Sequence, residues 1–146
     1  MTDAEIIDRA LNIIEERLQK PEVAFTQASL ASSYLKLKMA GLEHETFQVM
    51  FLNSQHELIS LKELFRGTVD AASVYPREVV KATLQFNAAA VILSHNHPSG
   101  HPEPSQADKR ITQRLVDALN LIDVRVLDHI VVGGTDSYSF AEHGLM

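Results

Sequence analysis

The spacing of hydrophobic residues changes several times along the chain, and each spacing predicts a different kind of element. Near the N-terminus apolar residues recur every three or four positions, at Ile7, Leu11, Ile14 and Leu18. This spacing predicts an amphipathic helix over residues 3–19, with Pro21 closing it. A second helix is predicted over residues 26–40, and Gly41 is well placed to end it. The two helices could form an appendage to the main domain or a contact between two copies in a homodimer.

From Glu45 onward the hydrophobic period shortens to two, which is the period of a β-strand. Apolar side chains occupy alternate positions, at Phe47, Val49 and Phe51. The segment NSQHE, residues 53–57, is typical of a turn, and a second strand is predicted from Leu58 to about Phe65. The two strands and the turn together predict a β-hairpin.

The second half of the chain predicts two helices and three strands. A helix is predicted over residues 77–86, because Pro76 suits its first position. The run AAAVIL, residues 88–93, is apolar without alternation and predicts a short, fully buried strand. The strongest helix pattern runs from Ser105 to about Leu121. Two further strands, separated by a turn at Gly133-Gly134, are predicted over residues 124–132 and 137–140.

This order of elements, αα–ββ–α–β–α–ββ, predicts an α/β fold in which one mixed sheet is sandwiched by helices. We expect a short N-terminal helical extension over residues 1–41 and the main domain over residues 42–146. A chain of 146 residues has the usual size of a single domain.

Composition and charge exclude several classes of protein. No cysteine is present, so disulfides are excluded, and a zinc site would have to use His, Asp, Glu and water. The formal net charge of −6 argues against strong nucleic-acid binding, which usually requires a basic patch. The sequence shows no signal-peptide pattern and no apolar run of the roughly 18–20 residues that span a bilayer. We therefore expect a cytoplasmic protein.

The stretch SHNHPSGHPEPSQAD, residues 94–108, concentrates side chains that bind metals or transfer protons. His95 and His97 are two residues apart after the predicted buried strand, so both rings can point to one side. Their Cα atoms would lie about 6–7 Å apart, which allows both rings to reach one zinc ion. Asp108, in the first turn of the next helix, is the nearest third ligand. Three protein ligands leave a fourth position for water, as in catalytic zinc sites.

Each part of this stretch also has a simpler interpretation. Ser105-x-x-Asp108 before an amphipathic helix is a capping box, an isolated H-x-H is common in loops, and Pro98-Ser99-Gly100 indicates only a turn. Their occurrence together in one stretch favours the metal site. Ser105 and Asp108 can cap the helix and serve the metal together, since the two roles are geometrically compatible.

The pattern HNHPSG-x-x-x-PS-x-x-D closely resembles the JAMM (MPN-plus) metalloprotease motif, H-x-H-x7-S-x2-D, in the form found in bacterial RadC-like proteins. The segments VYPREVVKATLQFNAAAVIL and DVRVLDHIVVGG are also similar to that family, so the resemblance covers about residues 42–146. It implies a JAMM/MPN-like fold with a cytidine-deaminase-like arrangement. The motif positions are matched by His95, His97, Ser105 and Asp108.

The resemblance implies a role for each matched residue. The zinc ligands of the family, which act together with a water molecule, correspond to His95, His97 and Asp108. The family serine stabilises the oxyanion, which implies this role for Ser105. A glutamate from an earlier strand is the general base, and Glu45 fits because it opens the E-x-F strand. Glu43 is the second choice, and Glu45 could also be only a solvated charge at a strand end.

The activity implied by the resemblance is that of a zinc metallopeptidase, in which zinc-activated water attacks an amide or isopeptide carbonyl of a peptide or protein substrate. The alternative is a non-catalytic metal-binding accessory module linked to DNA repair or prophage function. Longer RadC-like proteins carry an N-terminal helix-hairpin-helix region, and the about 40 residues before this domain are too few for one. The intact ligand set together with Glu45 favours the enzyme.

The remaining histidines are expected to have other roles. His44, His56 and His143 are expected at the surface, and His101 has no position in the motif. The dipeptide Asp128-His129 resembles one that recurs in the family. We expect it to be structural or to hold a metal-bound histidine ring in place.

Overall fold

The computed structural model describes residues 1–19, 24–67 and 74–146, and in these ranges it contains the helices and strands in the predicted order. The elements are α1 (Asp3–Gln19), α2 (Ala24–Met39), β1 (Thr46–Leu52), β2 (Leu58–Arg66), α3 (Pro76–Gln85), β3 (Ala90–His97), α4 (Gln106–Asn120), β4 (Arg125–Gly133) and β5 (Asp136–Ser139). Pro21, which the sequence predicts to close the first helix, lies outside the described residues. Within those ranges, no helix has the length and apolar character needed to cross a membrane.

The strands form one mixed sheet in the order β2-β1-β3-β4-β5. The neighbours β3 and β4 run parallel, whereas the other neighbouring pairs run antiparallel. The turn between β1 and β2 is held by Asn53, whose Oδ1 accepts hydrogen bonds from the backbone N–H groups of Gln55 and Glu57, both at 2.9 Å. The predicted α/β fold, with a mixed sheet flanked by helices, is confirmed.

Strand β1 is buried along its whole length. Phe47, Val49 and Phe51 pack on the side of the sheet covered by α3 and α4. Met50 and Leu52 pack on the opposite side, which α1 and α2 cover. A period of two often marks a strand with one solvated face. Here both faces are covered, because β1 is an inner strand of a sheet with helices on each side.

The two N-terminal helices cover one face of the sheet. Among the side chains that the structure describes, those buried in these helices are Leu18, Ala31, Tyr34, Leu35 and Met39, and they form a core with Ile92, Ile130 and Val132 of the sheet. The hydroxyl of Tyr34 donates a hydrogen bond of 2.8 Å to Oε2 of Glu15, which joins α2 to α1. Helix α2 begins at Ala24, earlier than predicted. The division of the chain at residue 42 and the homodimer both stay predictions.

Strand β3 is longer than the sequence predicts and corrects the expected position of the two histidines. It runs from Ala90 to His97 rather than over residues 88–93, so the histidines lie in the strand and not after it. The physical reason is pairing on both sides, because Phe47 pairs with His95 and Gly133 pairs with His97. Gly133 therefore belongs to β4 rather than to the predicted turn.

Candidate metal centre

Three polar side chains meet between the C-terminal end of β3 and the first turn of α4. Nε2 of His95 lies 3.0 Å from Nε2 of His97 and 3.2 Å from Oδ1 of Asp108. Nε2 of His97 lies 3.1 Å from Oδ2 of Asp108. His95 is fully buried and Asp108 is 2% exposed, whereas His97 is half-buried at the strand end. The structure thus brings together the three residues that the sequence assigned to a metal.

Asp108 reaches the strand end because the N-terminus of α4 is capped. The Ser105 hydroxyl accepts a hydrogen bond from the backbone N–H of Asp108 at 3.1 Å, and Oδ2 of Asp108 accepts one from the N–H of Ser105 at 2.8 Å. This is a capping box, in which each residue satisfies the backbone of the other. The predicted cap therefore exists and leaves Oδ1 of Asp108 directed at His95.

The loop between β3 and α4 packs directly on β4, and a glycine permits the contact. A Cβ added to Gly133 would lie 2.6 Å from the backbone nitrogen of Pro102, which is closer than real side chains approach. The loop thereby places the carbonyl oxygen of His101 2.8 Å from Nδ1 of His97. A carbonyl only accepts hydrogen bonds, so Nδ1 of His97 carries a proton and donates it. His101 serves the site through its backbone, while its side chain is exposed.

His95 is held from the other side by a buried histidine of β4. Nδ1 of His95 lies 2.8 Å from Nε2 of His129, which is fully buried. The ring of His129 stacks on Phe140 with centroids 4.7 Å apart. Its Nδ1 lies 2.5 Å from Oγ1 of Thr112, and that hydroxyl also contacts the backbone oxygen of Asp108 at 2.6 Å.

The charges in the centre favour a cation between the three side chains. Burial alone raises the pKa of Asp108, but its contacts with His95 and His97 outweigh burial and hold the pKa well below its ordinary value. The pKa of His97 is raised, first by its hydrogen bond with Asp108, and the negative charge of Glu45 adds to this effect. Burial, followed by the charge of His95, lowers the pKa of His129. An anionic Asp108 beside two imidazole nitrogens suits a proton or a metal ion.

The separations of the three donor atoms fit a zinc ion. Bonds of about 2.0–2.1 Å in a tetrahedral arrangement place neighbouring ligand atoms about 3.3 Å apart. The observed separations of 3.0, 3.2 and 3.1 Å are close to this value. Two imidazole nitrogens and one carboxylate are also a usual ligand set of catalytic zinc sites. His95, His97 and Asp108 could therefore hold the metal without a rearrangement of the strand or the helix.

Glu45 lies immediately before β1, and two features connect it with the centre. Phe47 pairs with His95, so continuing the antiparallel register by two residues sets Glu45 opposite His97. Side chains two residues apart in a strand share a face, so Glu45 and Phe47 are expected on the face of His95. The electrostatic effect of Glu45 on the pKa of His97 agrees with this position. Glu43, the second choice, is exposed.

Asn96 fixes the backbone on both sides of Glu45. Its Oδ1 accepts hydrogen bonds from the N–H and the hydroxyl of Thr46, at 2.7 and 2.9 Å. Its Nδ2 donates one of 2.9 Å to the carbonyl of His44. Asn96 is 3% exposed and lies between the two histidines in β3. A single carboxamide thus joins the strand of the candidate metal ligands to the segment that carries the candidate base.

Thr112 and Asn96 are the residues of the centre that the sequence analysis missed. Asn96 is the middle residue of the H-x-H motif, and Thr112 follows Asp108 by one helical turn. These two sequence positions are the signals that could have identified them.

Asp128 has a structural role, because its carboxylate accepts hydrogen bonds from the N–H groups of His129 and Ala141 and from the Ser139 hydroxyl. The expected surface position fits His143, which is exposed. His44 and His56 are instead half-buried.

Comparison with known proteins identifies the family. A family model of the RadC-like JAB domain matches residues 25–145. A UPF0758 protein of Vibrio cholerae is 62% identical over 139 residues, which cover 95% of this chain and 87% of that protein. The UPF0758 protein YfjY of Escherichia coli is 56% identical over 146 residues, covering 100% of this chain and 91% of that protein. A longer relative from Pseudoalteromonas translucida is 52% identical over 141 residues, covering 97% of this chain and 62% of that protein. The chain belongs to the family of RadC-like JAB domain proteins.

Proposed function

We propose that this protein is a zinc-dependent hydrolase of the JAMM type that cleaves an amide or isopeptide bond. The observation that carries the proposal is the convergence of Nε2 of His95, Nε2 of His97 and the carboxylate of Asp108, with separations of 3.0–3.2 Å. When bound, zinc lowers the pKa of a coordinated water and polarises a carbonyl oxygen. Three protein ligands are the number found in catalytic rather than structural zinc sites.

The base in this proposal is Glu45. The carboxylate takes a proton from the attacking water and passes it to the leaving nitrogen, which needs a proton to depart as an amine. The pairing of Phe47 with His95 supports this assignment, because continuing the register by two residues would bring Glu45 opposite His97 and near the candidate ligands. Asn96 supports this role because it holds the backbone of His44 and Thr46, the two neighbours of Glu45.

Ser105 is proposed to stabilise the carbonyl oxygen as negative charge develops on it. In the capping box the hydroxyl accepts a hydrogen bond from Asp108, which uses a lone pair of Oγ. The hydroxyl proton is a separate donor and can be directed at the substrate. The capping role and the proposed catalytic role are therefore compatible at one oxygen atom.

The substrate is proposed to be a peptide or protein. We also propose that the protein acts in the cytoplasm. A panel of peptides and isopeptide-linked conjugates would define the bond that is cleaved.

The substitution Glu45→Gln tests the enzymatic proposal against a binding role. We expect zinc content to be unchanged and kcat to fall by at least about a hundredfold, since a positioned general base contributes that much or more. Glu43→Gln is the matched control, because it removes an exposed carboxylate two residues away and should keep the activity. Glu45→Gln with parental activity would contradict the assignment. Loss of activity in Glu43→Gln alone would assign the base to Glu43.

A further inference from the structure

We propose that Thr112 and His129 are positioning residues that fix the tautomer of His95, so that its Nε2 presents a lone pair to the metal. Four groups form a continuous hydrogen-bonded chain from the backbone of one ligand to the ring of another. It runs from the Asp108 carbonyl through Thr112 and His129 to Nδ1 of His95. This inference rests on the metal site of the proposed function and adds a role for two residues outside the ligand set.

The direction of the first hydrogen bond follows from the chemistry of Thr112. Its hydroxyl has one proton and contacts two groups, the carbonyl oxygen of Asp108 at 2.6 Å and Nδ1 of His129 at 2.5 Å. The carbonyl can only accept, so the hydroxyl proton is directed at Asp108. The oxygen of Thr112 then accepts from His129, and the proton of the His129 ring lies on Nδ1.

The direction of the second hydrogen bond follows from the first. His129 is fully buried among Phe47, Phe140 and the neighbouring strands, and such burial disfavours a charged ring. With its proton on Nδ1, a neutral His129 presents a lone pair at Nε2. Nδ1 of His95, 2.8 Å away, must therefore donate. In a neutral His95 ring the Nε2 atom then carries no proton, and that atom is the one that faces His97 and Asp108.

The same direction is required from the metal end of the chain. A neutral imidazole that binds a metal through Nε2 has its proton on Nδ1, and that proton needs an acceptor. In this protein the acceptor for the Nδ1 proton of His95 is a second histidine, His129, whereas a carboxylate or a carbonyl usually has this role. A histidine can donate or accept at either nitrogen, so it needs a further partner to set its own tautomer. Thr112, tied to the backbone of Asp108, supplies that partner.

Zinc affinity of threonine variants tests the proposal with a control that the chain provides. Thr112→Val keeps the shape of the side chain but removes the hydroxyl, and we expect zinc binding to weaken by about tenfold. Thr112→Ser keeps the hydroxyl and should restore the affinity. Thr83 is also buried and donates to the carbonyl of Val79 at 2.7 Å in α3, away from the centre. Thr83→Val should therefore lose a comparable hydrogen bond without weakening zinc binding. Affinity is measured by competition with a chelator of known strength.

Nitrogen-15 NMR of the histidine rings gives a second readout that needs neither zinc nor activity. We expect His129 of the folded metal-free protein to carry its proton on Nδ1, which is the less common tautomer of free neutral histidine. A proton on Nε2 of His129 would overturn the proposal, and so would equal zinc affinities for Thr112→Val and Thr83→Val. Failure of the parent protein to bind zinc would contradict the proposed function, while the NMR result would still decide the tautomer.

Discussion

At the scale of single residues, the centre depends on side chains that satisfy backbone groups as well as on the ligands. Asn96 is the clearest case, because its carboxamide makes three hydrogen bonds to residues 44 and 46. These contacts join two segments separated by 50 residues in the sequence. Removing them would leave buried donors and acceptors unsatisfied on both sides of Glu45.

Asn96→Ala should lower both the stability and the turnover of the protein. We expect a loss of about 2–3 kcal/mol in the free energy of unfolding, from several broken buried hydrogen bonds. We also expect kcat to fall by at least about tenfold, because a displaced base transfers protons less efficiently. Zinc content should stay at the parental value. Urea unfolding, steady-state kinetics and metal analysis provide the three measurements.

Asn53→Ala is the matched control for this prediction. Asn53 also uses its carboxamide to bind backbone N–H groups, but it lies at the opposite end of β1, in the hairpin turn. Its loss should reduce stability and leave kcat unchanged. If both variants change kcat equally for the same loss of stability, Asn96 has no positioning role toward Glu45.

At the scale of elements, the hydrogen bond that joins α2 to α1 makes the free energy of unfolding depend on pH. Tyr34 is 2% exposed, and burial together with its hydrogen bond to Glu15 raises the pKa of its hydroxyl above the ordinary value of about 10. The folded state therefore holds the proton more tightly than the unfolded state. The resulting stability is complete below about pH 10 and is lost as the pH rises further.

Tyr34→Phe should lower the free energy of unfolding by about 1.5 kcal/mol near pH 8, because it removes a hydrogen bond to a charged group. It should also reduce the loss of stability that the parent shows above about pH 10. Urea unfolding at several alkaline pH values measures both effects. Tyr75→Phe is the control, since Tyr75 is 55% exposed, and it should keep the parental stability at pH 8. If Tyr34→Phe is as stable as the parent at pH 8, this hydrogen bond contributes nothing to the free energy of unfolding.

At the scale of the whole molecule, the sheet assembles the centre from segments that are distant in sequence. The pairing of Phe47 with His95 brings β1 beside β3, and the parallel pairing of β3 with β4 brings His129 beside His95. Helix α4 contributes Asp108 and Thr112 to the centre. The centre therefore depends on the fold as a whole and not on the motif stretch alone.

The order of elements and the clustering of the three candidate ligands could be predicted because each leaves a local pattern in the sequence. Hydrophobic periods locate the helices and strands, and the spacing of His95, His97 and Asp108 is itself the motif. The length of β3 could not be predicted, because its polar end is a strand only through its partners β1 and β4. The series of hydrogen bonds from Thr112 through His129 to His95 was missed for the same reason, since it depends on contacts between elements.

The most direct test of the central claim is the zinc content of the protein and of two histidine variants. After addition of zinc and removal of the excess, metal analysis or native mass spectrometry should show about one zinc ion per chain, as expected for a single three-ligand site. His95→Ala should lose the ion, because it removes a ligand. His101→Ala should keep it, because only the exposed side chain is removed while the carbonyl that holds His97 remains. A parent protein that stays free of zinc, or a His95→Ala variant that binds zinc as tightly as the parent, would contradict the account.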